Sequence, residues 1–134
     1  MDTPEPAPTP QTPPPPPWTV DYRHADARRF KKYAKRFPRE AESCADNLAN
    51  VLELTNAKGR PDAFHVDYFR NEFGPVWRIG QTGVPHARET RLYIYAAMIG
   101  RTFYPLTIGD KNTQQADLAH LKQIANALAK EGLQ

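Results

Sequence analysis

Three cations sit where neighbouring strands would bring them together. Arg78 lies in "VWRIG", Arg91 opens "RLYIYAAMI", and Lys111 follows "RTFYPLTIGD". His86 and Arg88 occupy the loop between the first two segments. Side chains alternate across a strand, so pairing of these segments would gather guanidinium and ammonium groups on one face. Such a cluster binds a phosphodiester and stabilises charge as it builds on phosphorus, with neither a metal nor an organic cofactor. RNA suits it as a substrate. Its own 2′-hydroxyl supplies the nucleophile, and the protein need only position it, move protons and steady the developing charge. His86 is the leading candidate for general acid or base. The plainer alternative is that Arg78 and Arg91 form surface ion pairs with Glu72, Glu89 or Asp110, worth about 0–1 kcal/mol each. Lys111 fits poorly as a helix-entry residue, because the helix dipole disfavours a cation there, and this favours a ligand-binding role.

Other chemistries are excluded by what the chain lacks. Cys44 is the only cysteine, so an internal disulfide and a cysteine-based metal site are both ruled out. It falls in the apolar register of a predicted helix, which points to packing rather than reactivity. His24, His65, His86 and His120 show no ligand spacing, so no metal site is expected. There is no phosphate-binding glycine loop, no nucleophile elbow, and no carboxylate pair spaced for glycoside or metal chemistry.

Net charge is only +3, yet Arg23, Arg28, Arg29, Lys31, Lys32, Lys35, Arg36 and Arg39 crowd one segment in which Asp26 is the sole acid. They make either a local positive field that would attract phosphate or a solvated helix face.

The elements that must position these groups are legible in outline. Residues 1–17, "MDTPEPAPTPQTPPPPP", hold most of the 14 prolines and almost nothing that packs, so they read as a disordered, extended tail. Residues 18–134 form the folding unit. "WTVDY" reads as a short strand. A helix after Asp26 would bury Ala27, Phe30, Ala34 and Phe37, and Pro38 would turn the chain into a second helix reaching Ala57, with Ala41, Cys44, Ala45, Leu48, Val51, Leu52 and Thr55 inward. "RPDAFHVDYFRNEFG" has no secure period. "VWRIG" reads as a strand, "QTGVPHARET" as a loop, and the segments flanking Gly100 as a hairpin, with Pro105 at an edge or bulge. Thr113 or Asn112 would cap a last helix whose Leu118, Leu121, Ile124, Ala125 and Leu128 form one apolar face. Leu92 with Ile94, or Tyr93 with Tyr95, must face the core. The order predicts an α+β fold, an antiparallel sheet with helices on one face and the other face open. No stretch approaches the roughly 20 apolar residues of a membrane span, and a soluble cytoplasmic protein is expected.

Several of these segments together resemble the RelE/ParE superfamily of bacterial toxins, in particular its HigB-like and phage Gp49-like branches. The matching pieces are "VWRIGQTG", "TRLYIY", "FYPLTIGDKNTQQADL" and the basic helical pair "FKKYAKRFPREAESCADNLANVLEL". The "KNTQQAD" turn at 111–117 is similar to the turn that opens the family's last helix. The resemblance covers about residues 19–131. It implies a RelE-like fold of N-terminal strand, helical hairpin, antiparallel meander and C-terminal helix. It further implies the toxin of a type II toxin–antitoxin pair, cutting messenger RNA on the ribosome by 2′-hydroxyl attack without a cofactor. By position, Arg78, Arg91 and Lys111 would hold the phosphate, Lys31, Lys32, Lys35, Arg36 and Arg88 would contact RNA, and a cognate antitoxin would block the open face. Gly80 stands where relatives often carry lysine, and Ala116 or Asp117 near their late tyrosine, which leaves His86, Tyr93 and Tyr104 as substitutes. A ParE-like gyrase inhibitor and a non-catalytic interaction module using the Pro-rich tail are the alternatives.

Overall fold

The computed structural model describes residue 4 and residues 13–134, so most of the expected tail lies outside the described residues; 13–17 are exposed without regular structure. The elements in chain order are β1 (Thr19–Val20), α1 (Ala27–Arg36), α2 (Pro38–Lys58), a short 3-10 turn (Pro61–Ala63), β2 (Phe69–Phe73), β3 (Val76–Gly80), β4 (Thr90–Ala97), β5 (Thr102–Asp110) and α3 (Gln114–Lys130). The strands form one sheet in the order β1-β5-β4-β3-β2, with β1 parallel to β5 and all other pairs antiparallel. The chain is thus a mixed α+β structure. No helix among the described residues is long and apolar enough to cross a membrane.

The sheet departs from the sequence expectation in two ways. The unassigned stretch contains β2, whose alternation is broken by a bulge between Asn71 and Phe73. The helices also lie on both faces of the sheet rather than one. Leu92, Ile94 and Ala96 of β4 pack with Cys44, Leu48 and Val51 of α2. Tyr93, Tyr95 and Ala97 pack with Leu121, Ala125 and Leu128 of α3. Both of the alternative pairs in β4 therefore face a core, and the expected open face is covered by α3 along most of the central strands. A strand with apolar groups at successive positions is buried on both sides, and residues 92–97 have that character.

Local signals explain most of the element ends. Asp26 caps α1 by accepting from the Arg29 N–H at 3.1 Å. Pro38 occupies the first turn of α2, and Gly59, at φ 92°, ends it in the left-handed conformation. Pro105 sits at a bulge between β4 and β5, and β1 pairs with β5 only at Thr102 and Phe103, which leaves that side of Pro105 free of a strand. The Asp26 N–H donates to the Leu106 carbonyl, so α1 starts against this unpaired edge.

Its inward stripe differs from the one expected. Ala27 and Ala34 are exposed, and Phe30, Tyr33 and Phe37 are half-buried. Tyr33 replaces the alanines because its hydroxyl shares a 2.7 Å hydrogen bond with Thr90 Oγ1 at the start of β4. In α2, Ala45 is exposed, while Asn47 is buried and donates to the Gly80 carbonyl at 2.7 Å. Cys44 is fully buried, and burial pushes its thiol up to about 12, as expected for a packing residue.

Trp18 closes the core at the start of the folding unit. Its ring lies 4.7 Å from that of Phe103, its indole N–H donates to the Gly59 carbonyl at 3.2 Å, and it is 3% exposed. Trp18→Ala is expected to cost about 3–5 kcal/mol of stability in urea unfolding, as for other buried aromatics. A loss below about 1 kcal/mol would show that the tail-proximal anchor does not belong to the core.

Candidate phosphate-binding site

The register of β2, β3, β4 and β5 decides which side chains meet at the polar end of the α3 face. Arg70 pairs with Arg78, Arg78 with Tyr93, Gly80 with Arg91, Arg91 with Gly109, and Tyr93 with Thr107. Directly paired residues share a face, so Arg70, Arg78 and Arg91 of three successive strands lie on one face, Arg70 opposite Arg78 and Arg91 diagonal to it. Two like charges opposite one another repel, and nearby acceptors offset this: Glu72 Oε1 lies 3.2 Å from Arg78 Nε, and Arg70 Nε donates to the Asp67 carbonyl at 3.4 Å.

Arg78 and Arg91 line one open pocket of about 240 Å³ together with Asp67, Tyr68, Gly80 and Glu89. Gly80 has no side chain to fill the space opposite Arg91. Just inward, Arg91 Nη1, Tyr93 OH and Thr107 Oγ1 are buried without a hydrogen-bond partner among the described residues. Unpartnered buried polar atoms are rare and costly, and three on one patch of sheet mark a place that is not optimised for stability alone. Burial, with the Asp117 and Glu72 carboxylates nearby, pushes the Tyr93 hydroxyl up, so it stays protonated at neutral pH and keeps a proton to donate.

One carboxylate fastens the corner beside this pocket. Asp110 accepts from Arg88 Nε at 2.6 Å, from the Asn112 N–H at 2.8 Å and from the Thr113 N–H at 3.1 Å. Burial raises the Asp110 pKa, but these bonds outweigh it and hold the carboxyl below its usual range. Thr113 Oγ1 donates to Asp117 Oδ2 at 2.7 Å, and Arg29 Nη1 of α1 reaches Asp117 Oδ1 at 2.8 Å. All three side chains crowd Gly109, where an added Cβ would fall 2.3 Å from Asp117 Oδ2 and 2.6 Å from Thr113 Oγ1. A glycine is required by that close approach.

The residues singled out from the sequence are distributed unevenly. Arg78 and Arg91 come together as expected, although Arg78 also makes the ion pair with Glu72 that is the plainer alternative. Lys111 is exposed, with its Nζ 3.8 Å from Glu89 Oε2 and its N–H donating to the Glu89 carbonyl, so it adjoins the pocket through Glu89. His86 is exposed at φ 53° on the loop and is not among the residues lining this pocket. Arg88 is engaged with Asp110. Lys32 and Arg36 line a separate pocket with Arg88, Lys31 lines an apolar groove between α1 and α2, and Lys35 is exposed.

Five further residues belong to the site and the corner beside it. Arg70 carries no sequence signal of its own, because the bulge hides the alternation of β2, and Glu72 is marked only as an ion-pair partner for Arg78. Glu89 stands out in the sequence only as an ion-pair partner. The Arg29–Asp117 pair joins elements far apart in sequence, and no local pattern reports it. Comparison with protein-family models, with curated proteins and with solved structures finds no match to the chain.

Because the Asp110 carboxyl titrates below its ordinary value of about 3.9, its stabilisation is present above that pH and is lost as the pH falls through the lower folded value. Asp110→Asn is therefore expected to be less stable than the parent at pH 7, with the difference shrinking as the pH is lowered below about 4. Urea unfolding at stepped pH measures this. A difference that stays constant to the acid limit would contradict the role given to the carboxylate charge.

Proposed function

We propose that the protein is the toxin of a type II toxin–antitoxin pair, a metal-independent endoribonuclease that cleaves messenger RNA on the ribosome. The observation that carries this reading is the placement of Arg78 and Arg91 in one open pocket, with Arg91 Nη1 buried and lacking a partner. The RelE/ParE resemblance is supported by a helical pair ahead of an antiparallel meander and by a turn rich in polar residues that opens the last helix.

In this reading the scissile phosphate lies between the Arg78 and Arg91 guanidinium groups, and Lys111 adds positive charge from the side. The 2′-hydroxyl gives its proton to Glu89, which lines the pocket beside Arg91, and its oxygen attacks phosphorus. The bond to the 5′-oxygen breaks, that oxygen takes up a proton from water, and a 2′,3′-cyclic phosphate remains. The charge that builds on the non-bridging oxygens is met by donors already in place, which is where catalysis without a metal gains most. His86 stands outside the pocket lining, so proton transfer passes to Glu89. The exposed cations of α1, with Lys31, Lys32, Lys35 and Arg36 among them, contact RNA, and an antitoxin encoded beside this chain covers the cationic end of the sheet.

Induced expression is expected to arrest growth and to produce messenger RNA cut with cyclic-phosphate ends, in a reaction that survives chelation of divalent metals. Arg91→Ala is expected to lower cleavage by about 10²-fold or more, the usual loss when a donor aimed at developing charge is removed. Growth arrest without RNA cleavage would replace this reading with a gyrase-type target. Cleavage unchanged in Arg91→Ala would remove the pocket from the chemistry.

A further inference from the structure

A second cationic pocket lies on the other side of the entry to β4. Arg29, Lys32, Tyr33 and Arg36 recur at i, i+3, i+4 and i+7 along α1 and so share one helix face. With Phe37, Arg88 and Asp110 they line a space of about 200 Å³. Four cations thus surround one carboxylate. Arg29 is matched by Asp117 and Arg88 by Asp110, but Lys32 and Arg36 have no ion pair among the described residues. The guanidinium carbons of Arg36 and Arg88 lie 5.2 Å and 5.3 Å from the Phe37 ring centre, so one aromatic platform orders both groups. The Arg36 guanidinium, ordered and with its charge unmatched, suits a phosphate, which it can grip through paired N–H donors.

The two pockets are separated by very little chain. Glu89 and Thr90 line the first, and Thr90 Oγ1 is hydrogen-bonded to Tyr33 OH of the second. Arg88 belongs to the second and Arg91 to the first, and three residues of fully extended chain span at most about 11 Å. One short strand passing over the start of β4 can therefore seat a phosphate in each. We propose that the pocket formed by Lys32, Arg36 and Arg88 around Phe37 is a second phosphate site for the same single strand whose phosphate occupies the pocket of Arg78 and Arg91. The ligand is then a flexible single-stranded polynucleotide, and neither a mononucleotide nor a stiff duplex satisfies both sites. This rests on the first pocket being a phosphate site; it does not require that the strand be cut.

The test uses the full chain and a fluorescent 2′-O-methyl RNA of ten nucleotides, which cannot be cleaved, beside a dinucleotide with a single phosphate. Lys32→Gln with Arg36→Gln changes two exposed residues of α1. The double variant is expected to bind the longer strand about ten-fold more weakly, with its salt dependence reduced by about 0.7, the value for one phosphate of a single strand that is no longer neutralised. Its affinity for the dinucleotide is expected to be unchanged, whereas Arg91→Ala should weaken binding of both. Unchanged affinity and salt slope for the longer strand would overturn the proposal, as would an equal weakening for the dinucleotide. Binding that falls in the double variant but is untouched in Arg91→Ala would also overturn it, because the two pockets would not share a strand. A polyglutamate peptide that competes as well as the RNA would overturn it in favour of an acidic protein partner. If both pockets bind as described and natural RNA stays intact, the proposal stands and the nuclease reading alone falls.

Discussion

The Asp110 carboxylate draws α3, β5 and the entry to β4 into one corner, by accepting from Arg88 Nε, Asn112 N–H and Thr113 N–H together. It ends the last strand, turns the chain and starts α3. It also fixes Arg88, which lies over the Phe37 ring at the end of α1. Thr90, paired with Asp110 in the ladder, is bonded to Tyr33 of α1, so the first helix is tied to the same corner. Gly109, next in sequence, lets Arg29 and Asp117 close over the strand. Arg91 is paired with that glycine, and its position follows from theirs. The turn that joins the last strand to the last helix is thus structural through Asp110 and places Lys111 beside Glu89 as a consequence.

Concentrating cations has a cost, and the chain meets it locally. Arg78 is held by Glu72, Arg88 by Asp110 and Arg29 by Asp117. Each acid leaves part of its partner's donor set unused, since a guanidinium carries five N–H bonds and one carboxylate cannot take them all. Both cationic pockets combine such restrained arginines with a less restrained charge, Arg91 in one, Lys32 and Arg36 in the other. The acids fix geometry while the surplus charge remains to attract an anion, and salt should weaken that attraction steeply.

Much of this is legible in the sequence where periodicity is strong. The hairpin around Gly100, the break at Pro38, the stop at Gly59 and the final helix all follow from local turn chemistry and apolar spacing. β2 is hidden by its bulge and by the exposed run from Arg70 to Asn71, which reads as loop. The three-layer packing is present as a signal in residues 92–97, where apolar groups occupy successive positions, but a two-sided strand and a one-sided one differ only in what covers the second face. The convergence of Arg78 and Arg91 is visible because they lie on consecutive strands. Arg29 meeting Asp117 is not, since that contact depends on how α1 sits at the free edge of β5. His86 draws notice by its residue type, and its loop position is legible from Gly83 and Pro85, but nothing in the sequence tells that it stands outside the pocket lining.

The central claim is that the pocket between β3 and β4 holds a phosphate of RNA. A crystal structure of the protein with an uncleavable 2′-O-methyl oligonucleotide tests it most directly. The expected result is a phosphate oxygen within hydrogen-bond distance of the Arg91 guanidinium, with Arg78 turned to the same group. Nucleic acid bound elsewhere, with no phosphate at Arg91, would contradict it.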